Sequence, residues 1–358
     1  MRFRPPPCTD VGVALVGCGG IVNDGHLPAY LAHGVKIVGC FDLDLHTAER
    51  TASHFGIHKV YRSLEEVAAD PDCRIVDIAV PPSAQPDIVS LLANAGKNLL
   101  CQKPLGEDLS AAAGVVQTAA DAGVILAVNQ QFRWSPVIWA VQQMLQRGYV
   151  GKVTDVQVIE STHTPWALWP WLARLPRLDV TYHSIHYLDA VRAILGDPDW
   201  ITSRHSRPPD QDAVLGESKT VTVLDYDAGL QAIVAVNHND ISRRPLGSLR
   251  ILGTRGIVTG TLGSSIDYSA AVADTITVET QSATSNGPIE LPGKWMPDAF
   301  IGPMSSLITA VKEGTPPVTS GADNLRTMRM VDAAYLSAAE NRSIRLRVEL
   351  PLPGDGPA

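Results

Sequence analysis

The feature that most constrains the fold is an alternation of short apolar runs and helical segments along the first third of the chain. Five apolar runs are typical of strands buried on both faces, and they lie at 11–16, 35–41, 75–80, 98–101 and 124–128. Helical patterns separate these runs at 26–33, 44–56, 83–95 and 108–122. Because strand and helix alternate at this spacing, we expect right-handed βαβ units and a doubly wound parallel sheet.

After about residue 150 the pattern changes to strands that follow one another directly. The predicted strands lie at 153–160, 199–206, 218–226, 229–238, 247–252, 256–261 and 274–280. The predicted helices lie at 179–195, 298–313 and 321–341. Consecutive strands separated only by turns predict a large, open, mostly antiparallel sheet. The predicted fold is therefore α/β, with a parallel sheet first and an α+β domain behind it.

A glycine-rich turn joins the first predicted strand to the first helix. The residues available there to contact a dinucleotide are Gly17, Gly19, Gly20 and Ile21. Gly17 permits a tight turn, and Gly19 lets the backbone approach a pyrophosphate at the helix N-terminus. Val22 stands where the usual fingerprint has a third glycine, so the turn alone also fits a cofactor-free α/β domain.

An acid at the end of the second strand supports the dinucleotide interpretation. Asp42 is placed to accept hydrogen bonds from an adenosine ribose, and its charge would repel a 2′-phosphate, so we expect NAD rather than NADP. We therefore predict a dinucleotide-binding Rossmann domain at 1–128 and a substrate-binding and oligomerisation domain at 129–358. The helix at 321–341 is a candidate to pack back near the first domain.

Composition excludes several other classes of protein. The net charge of −8 argues against a nucleic-acid partner, which would need a basic face. No apolar run reaches the roughly 18 residues that span a membrane, and no apolar signal segment precedes the first strand. The five cysteines are scattered without a CxxC pair, so neither a zinc site nor a disulfide framework is indicated. We expect a cytoplasmic protein with buried, reduced thiols.

Several short motifs, spread over nearly the whole chain, carry a family resemblance. They are Gly17-Cys18-Gly19-Gly20-Ile21, its continuation to Ala29, Asp42, Pro81-Pro82, Gln102-Lys103-Pro104 and the segment from Asp179 to His183. Together they resemble the Gfo/Idh/MocA family, which includes glucose–fructose oxidoreductase and inositol dehydrogenase. The resemblance implies a nicotinamide-dependent oxidoreductase whose cofactor is also contacted by Pro81, Gln102 and Lys103.

The resemblance also implies roles for particular side chains. Lys103 stands in a Glu-Lys-Pro motif, whose lysine orients or deprotonates the reacting hydroxyl. Gln102 replaces the glutamate of that motif, so it can hydrogen-bond a ribose but carries no charge. The family's Asp-x-x-x-His motif carries over to Asp179 and His183 and implies substrate contact and proton transfer. A family histidine is missing after the proline-rich loop, where Gln85 is nearby.

Oxidation of an alcohol needs an acceptor for a hydride and another for a proton. Lys103 suits the proton if desolvation and a cationic nicotinamide lower its pKa, and His183 could also accept it. On a helix, Asp179, His183 and His186 would share one face. We assign Lys103 and His183 to proton handling, Asp179 to binding and orienting substrate, and His186 to substrate binding or to packing. Asp179, His183 and His186 could instead ligate a divalent ion, but we predict no metal.

Further candidates for substrate contact lie after the last parallel strand and after 153–160. Trp166 and Trp169 could stack on the apolar face of a sugar, or they could pack in a core or at an oligomer contact. Asn129 and Arg133 follow the carboxyl end of a parallel strand, where a ligand site is expected. Arg133 could equally form an interdomain salt bridge.

These expectations define a function, two alternatives and a set of partners. We predict an NAD-dependent oxidoreductase that oxidises a ring hydroxyl of a sugar, sugar derivative or cyclitol. One alternative is a glycoside-cleaving enzyme that oxidises transiently, eliminates the aglycone and reduces again. The other is a non-catalytic NAD-binding sensor. The expected partners are a carbohydrate substrate and a second copy of the chain, as a homodimer or homotetramer through the open sheet.

Overall fold

The computed structural model describes residues 3–208, 214–227, 229–242, 244–263, 272–280, 285, 287–352 and 355, and the chain divides into two compact units. The first unit contains Phe3–Gln131 and Met296–Met328. The second unit contains Phe132–Trp295 and Arg329–Ala358.

The first unit is built on a parallel sheet. Its strands are β1 (Gly12–Val16), β2 (Lys36–Phe41), β3 (Ile75–Ile78), β4 (Asn98–Gln102) and β5 (Leu126–Asn129). The strand order in space is β2-β1-β3-β4-β5, and every pair is parallel. All residues of β1 and β3 are buried, as expected for strands that helices cover on both faces. The carboxyl ends of these strands therefore share one edge of the sheet.

Both units contain helices, which differ widely in length. In chain order, the helices of the described residues are α1 (Leu27–Ala32), α2 (Leu45–Phe55), α3 (Leu64–Ala69), α4 (Gln85–Asn94), α5 (Leu109–Asp121), α6 (Pro136–Gln146), α7 (Pro170–Ala173), α8 (Ile185–Leu195), α9 (Ile301–Glu313), α10 (Gly321–Glu340) and α11 (Leu346–Glu349). Side chains cap three of them, because Asp44, Ser63 and Asp108 accept backbone N–H bonds at the starts of α2, α3 and α5. The division between the units falls within α10.

The second unit is built on a larger sheet, with nine strands among its described residues. They are β6 (Val153–Ser161), β7 (Trp200–Ser206), β8 (Lys219–Tyr226), β9 (Leu230–Asn237), β10 (Leu246–Gly253), β11 (Gly256–Thr261), β12 (Thr275–Thr280), β13 (Ile289–Glu290) and β14 (Ile344–Arg345). Their order is β13-β12-β11-β10-β6-β9-β8-β7-β14. Only β6 and β9 pair in parallel among these described strands, so the sheet is mostly antiparallel.

The two sheets confirm the predicted fold class, and the local differences have simple causes. Helices α3, α6, α7 and α11 were not predicted: α3, α7 and α11 have six residues or fewer, and α6 begins at a proline, Pro136. The helix predicted at 179–195 begins with a π-helical turn, Val180–Ser184, before α8. Within the described residues, no helix is both long and apolar enough to cross a membrane.

Candidate active-site residues

The glycine turn after β1 has the geometry that a dinucleotide site needs. Gly17 has φ +93°, and a Cβ there would lie 2.5 Å from the carbonyl oxygen of Ala79, so only glycine fits. A Cβ on Gly19 would have no neighbour within 4 Å, and Gly19 and Gly20 are exposed. Asn23 pins the turn by donating to the carbonyls of Cys18 and Gly19, both at 2.8 Å. The exposed turn thus fits the pyrophosphate of a dinucleotide.

Asp42 lies beside this turn, directly after β2. Its Oδ2 accepts the N–H of Cys18 at 2.8 Å, and its Oδ1 accepts the N–H of Asp44 at 2.9 Å. These bonds fix the carboxylate against the glycine turn, and the side chain stays half-exposed. Each oxygen keeps a second lone pair for a ribose hydroxyl. The position fits the predicted role of Asp42, which stays a prediction.

Lys103 follows β4 in a loop whose backbone is held on both sides. Gln85 donates from Nε2 to the carbonyls of Gln102 and Pro104, at 2.8 and 3.2 Å. The Oε1 of Gln102 accepts the backbone N–H of Lys103 at 2.8 Å. Burial lowers the pKa of the Lys103 amine to about 8. A lysine in such a position can exchange a proton near neutral pH. The exposed Pro81 follows β3 at the same sheet edge.

Asp179 is the centre of a buried polar group in the second unit. Its Oδ1 accepts from Nε2 of His238 at 2.7 Å, and its Oδ2 accepts from Ser184 Oγ at 2.7 Å and Thr220 Oγ1 at 2.5 Å. Burial opposes its ionisation, but the hydrogen bonds from His183 and His238 lower the pKa of Asp179 below its ordinary value. Asp179 is therefore a buried anion, stabilised by Ser184 from the same helical turn and by Thr220 and His238 from two distant parts of the chain.

His183 lies between two carboxylates. Its Nδ1 is 3.5 Å from Oδ1 of Asp179, and its Nε2 is 3.5 Å from Oε1 of Glu160. Glu160 is buried on β6 and also accepts the hydroxyl of Tyr187. The two carboxylates can stabilise a positive charge on the imidazole, so His183 is suited to hold a proton. The ligand atoms of Asp179, His183 and His238 also lie within 4.8 Å of one another, close enough for a metal ion to bridge them.

The expected grouping of Asp179, His183 and His186 is wrong in its third member. Within the described residues, the close group contains His238 in place of His186. The ring of His186 instead packs against Trp295 and Phe132, at centroid distances of 5.1 and 6.2 Å. The π-helical turn explains the difference, because its extra residue rotates everything after it away from the face that holds Asp179.

The residues proposed for substrate contact fall into different surroundings. Arg133 makes a bidentate ion pair with Asp189, with both bonds at 2.6 Å and both side chains buried. Asp189 belongs to the same unit, so this pair is not an interdomain salt bridge. The geometry favours a structural role for Arg133. Asn129 is buried and donates from Nδ2 to Nε2 of His26 at 3.1 Å.

The two tryptophans differ in burial. Trp166 is buried with Leu178 and Val214, and its ring lies 5.1 Å from that of His238. Trp169 is half-buried at the start of α7. The packing of Trp166 fits the core interpretation, whereas its contact with His238 keeps it next to the Asp179 group. Sugar stacking by either residue stays a prediction.

Sequence reasoning missed several polar residues that these sites use. They are His26, Asp77, Glu160, Thr220 and His238. Each comes from an element distant in sequence from the motif that it supports, such as the 59 residues between Asp179 and His238. The one local signal for His238 is its position directly after β9, in the polar run Asn237-His238-Asn239-Asp240.

A parallel sheet with an exposed glycine turn and an acid after its second strand defines the class of Rossmann-fold dinucleotide-binding proteins. Residues 11–130 match the model of an oxidoreductase family with an NAD-binding Rossmann fold, and residues 142–346 match its C-terminal alpha/beta domain. The chain therefore belongs to the Gfo/Idh/MocA oxidoreductase family.

Individual relatives agree with this assignment. The chain is 31% identical over 340 residues to D-apiose dehydrogenase of Paraburkholderia graminis, covering 93% of this chain and 89% of that protein. It is 26% identical over 351 residues to inositol 2-dehydrogenase of Rhizobium meliloti, covering 94% and 99%. Its structure is similar to that of an oxidoreductase from Agrobacterium radiobacter in complex with NAD+, L-tartaric acid and magnesium. The TM-score is 0.83 at 27% identity, covering 96% of this chain and all of that one.

Proposed function

We propose that this protein is an NAD-dependent dehydrogenase that oxidises a ring hydroxyl of a sugar, sugar derivative or cyclitol to a ketone or lactone. The observation that carries the proposal is Lys103, which follows a parallel strand and whose pKa burial lowers to about 8. A base works best when its pKa is near the operating pH. The substrate class comes from the relatives, which are named for D-apiose and inositol.

The cofactor residues proposed are Gly17, Gly19, Gly20, Ile21, Asp42 and Pro81. NAD supplies an acceptor for the hydride when it is bound. The glycines place backbone N–H groups at the pyrophosphate, and Asp42 accepts hydrogen bonds from the ribose. Gln102, also predicted to contact the cofactor, uses its oxygen for Lys103 and its nitrogen for His26. We therefore assign it to the support of Lys103.

The proton roles are proposed for Lys103 and His183. The neutral amine of Lys103 accepts the hydroxyl proton, and His183 holds a proton with the help of its two carboxylate neighbours. Asp179 already accepts hydrogen bonds from three side chains. We therefore propose that it mainly orients His183 and His238 and contacts substrate less directly. A cytoplasmic location stays a prediction.

The test is a panel of D-apiose, inositol, other aldoses and glycosides, assayed for both NADH and released aglycone. A dehydrogenase accumulates NADH with a sugar or cyclitol, whereas the glycoside-cleaving alternative releases aglycone without NADH. Lys103→Met should lower kcat by at least about 100-fold, as expected for loss of a general base, and leave the Kd for NAD nearly unchanged. Wild-type activity that survives in this variant would refute the role of Lys103.

The pH dependence gives a second measurement on the same reaction. Because the pKa of Lys103 is lowered to about 8, the base is protonated at lower pH, and kcat/KM for oxidation should rise with pH and level off above about pH 8. Lys103→Arg should remove this limb, since arginine stays protonated. If kcat/KM still rose with pH in the same way in Lys103→Arg, this pH dependence would belong to another group.

A further inference from the structure

Lys103 is held by a chain of buried polar side chains in which the direction of each hydrogen bond is fixed. The backbone N–H of Lys103 can only donate, so the atom of Gln102 that faces it at 2.8 Å is the oxygen, Oε1. The amide nitrogen of Gln102 then faces Nε2 of His26, at 3.1 Å. The orientation of the Gln102 amide therefore follows from its neighbour on the main chain.

The same reasoning fixes the proton on His26. Its Nε2 faces two amide nitrogens, those of Gln102 and Asn129, each at 3.1 Å. Amide nitrogens only donate, so this ring nitrogen is the acceptor. His26 consequently carries its proton on Nδ1 and donates it to Oδ2 of Asp77 at 2.6 Å. The ring is neutral and is held in the tautomer that is less common for a free histidine.

The far end of the chain is the buried side chain of Asp77. Asp77 lies in β3, is fully buried, and accepts from Tyr30 Oη at 2.7 Å as well as from His26. His26 is also fully buried, and its ring lies 5.0 Å from that of Phe300. From Lys103 to Asp77 each hydrogen bond pairs one donor with one acceptor, although Oδ1 of Asp77 and Oδ1 of Asn129 have no hydrogen-bond partner among the described residues. A carboxylate in place of the Gln102 amide would confront the unprotonated Nε2 of His26 and break the match.

We propose that Asp77, His26 and Gln102 form a positioning chain for Lys103, in which the neutral Nδ1–H form of His26 selects an amide rather than a carboxylate at position 102. This inference rests on the proposed function of Lys103. It explains why glutamine can replace the glutamate that the family resemblance implies. With glutamate, His26 would need a second proton to face carboxylates on both sides. Gln102 thus avoids a negative charge beside Lys103 and still holds its backbone.

The first test does not depend on activity. We would record the ring-nitrogen NMR signals of the full-length protein labelled with 15N-histidine. The signals of His26 are those that disappear in the His26→Asn variant. We expect the neutral Nδ1–H pattern in the wild type. In Gln102→Glu we expect His26 to become an imidazolium. A wild-type His26 that is charged or protonated on Nε2 would overturn the proposal, even if the variant did not fold. A His26 that stays neutral in a folded Gln102→Glu variant would also overturn it.

The second test measures what the chain does for Lys103. In Gln102→Glu the rising limb of the kcat/KM profile should move up by about half to one pH unit, because a carboxylate near an amine raises the pKa of that amine. Asn98→Asp is the matched control, since Asn98 begins the same strand β4 at its other end; it should leave both the limb and the His26 signals in place. If kcat/KM rose at the same pH in Gln102→Glu and in the wild type, the positioning role would be refuted.

A third variant separates loss of the anchor from a change of charge. Gln102→Met removes the acceptor for the Lys103 N–H without adding a charge, and Asn129 still donates to His26. We expect His26 to stay neutral and kcat to fall about tenfold, which corresponds to ~1.4 kcal/mol, with KM little changed. An unaltered kcat would overturn the anchoring step. If Lys103→Met proved active, the proposed role of Lys103 as the base would be refuted. The NMR measurement on His26 would still test the hydrogen-bond chain of Asp77, His26 and Gln102 independently.

Discussion

Asp42 is the residue that should decide between the two nicotinamide dinucleotides. Its carboxylate is fixed by the N–H groups of Cys18 and Asp44 beside the glycine turn, where it would oppose the charge of a 2′-phosphate. We expect Asp42→Ser to raise the ratio of kcat/KM for NADP to that for NAD at least about tenfold, or ~1.4 kcal/mol.

The adjacent acid provides a control for this change. Asp44→Ser also removes a carboxylate, but serine can still cap α2, where Asp44 now accepts the N–H of His46. Its cofactor ratio should stay close to that of the wild type. Steady-state kinetics with both cofactors measures the two variants. If the ratio of kcat/KM for NADP to that for NAD were the same in both variants, the proposed contact between Asp42 and the ribose would be refuted.

At the scale of residues, the sequence singled out the candidate site residues but not the side chains that support them. Lys103, Asp179 and His183 lie in short motifs that can be recognised locally. Their partners His26 and His238 come from other elements, and which partner arrives depends on packing that no local pattern encodes. His186 is not in the close group with Asp179 for a different, local reason, since the extra residue of a π-helical turn leaves no mark in the hydrophobic periodicity.

Strand β8 shows how an element supports the buried Asp179. Thr220 and Thr222 lie two residues apart on its buried face. Thr220 Oγ1 bonds to the Asp179 carboxylate at 2.5 Å, whereas Thr222 Oγ1 bonds to the neutral hydroxyl of Ser203 at 2.8 Å. Hydrogen bonds to a charged group contribute about 1.5–3 kcal/mol, compared with about 0.5–1.5 kcal/mol between neutral groups.

We therefore expect Thr220→Val to lower the free energy of unfolding by about 1.5–3 kcal/mol, and Thr222→Val by about half as much. The shapes of the side chains match in both variants, so the difference isolates the charge. Urea unfolding measures both. A larger loss for Thr222→Val than for Thr220→Val would show that the Asp179 carboxylate does not depend on β8.

At the scale of elements, long periodic segments were predicted well and short or proline-flanked ones were not. The two sheets follow from patterns of apolar residues that each span several elements. Helix α3 has six residues, too few for a hydrophobic face to repeat. Helix α6 begins at a proline, which is favourable at a first helical position but also marks loops.

At the scale of the whole molecule, one face of the larger sheet has an apolar patch. Val221 is 40% exposed and pairs with Ala235 of β9. Val223 pairs with Ile233, and Ile159 pairs with Ala235, so the patch crosses three adjacent strands. Apart from Val221 these side chains are half-buried, and a partly exposed apolar surface that crosses several strands is a candidate association site. We propose that a second copy of the chain covers it, as the open sheet indicated.

Light scattering on the purified chain should give the mass of a dimer or tetramer. Val221→Glu should shift it to the monomer, because a carboxylate would be buried unpaired at the contact. Leu43→Glu is the control, since Leu43 is 94% exposed and belongs to the other unit; its mass should equal that of the wild type. A monomeric wild type would disprove the assembly.

The burial of Lys103 also couples the protonation of this amine to folding. Folding lowers its pKa from 10.5 to about 8, so between these values the unfolded chain holds more protons, and stability rises with pH. Below about pH 8 both forms hold the proton, and the native state bears the whole penalty, on the order of 3 kcal/mol. At neutral pH the burial of the charged Lys103 amine therefore destabilises the native state, and favourable contacts elsewhere in the fold must outweigh this cost.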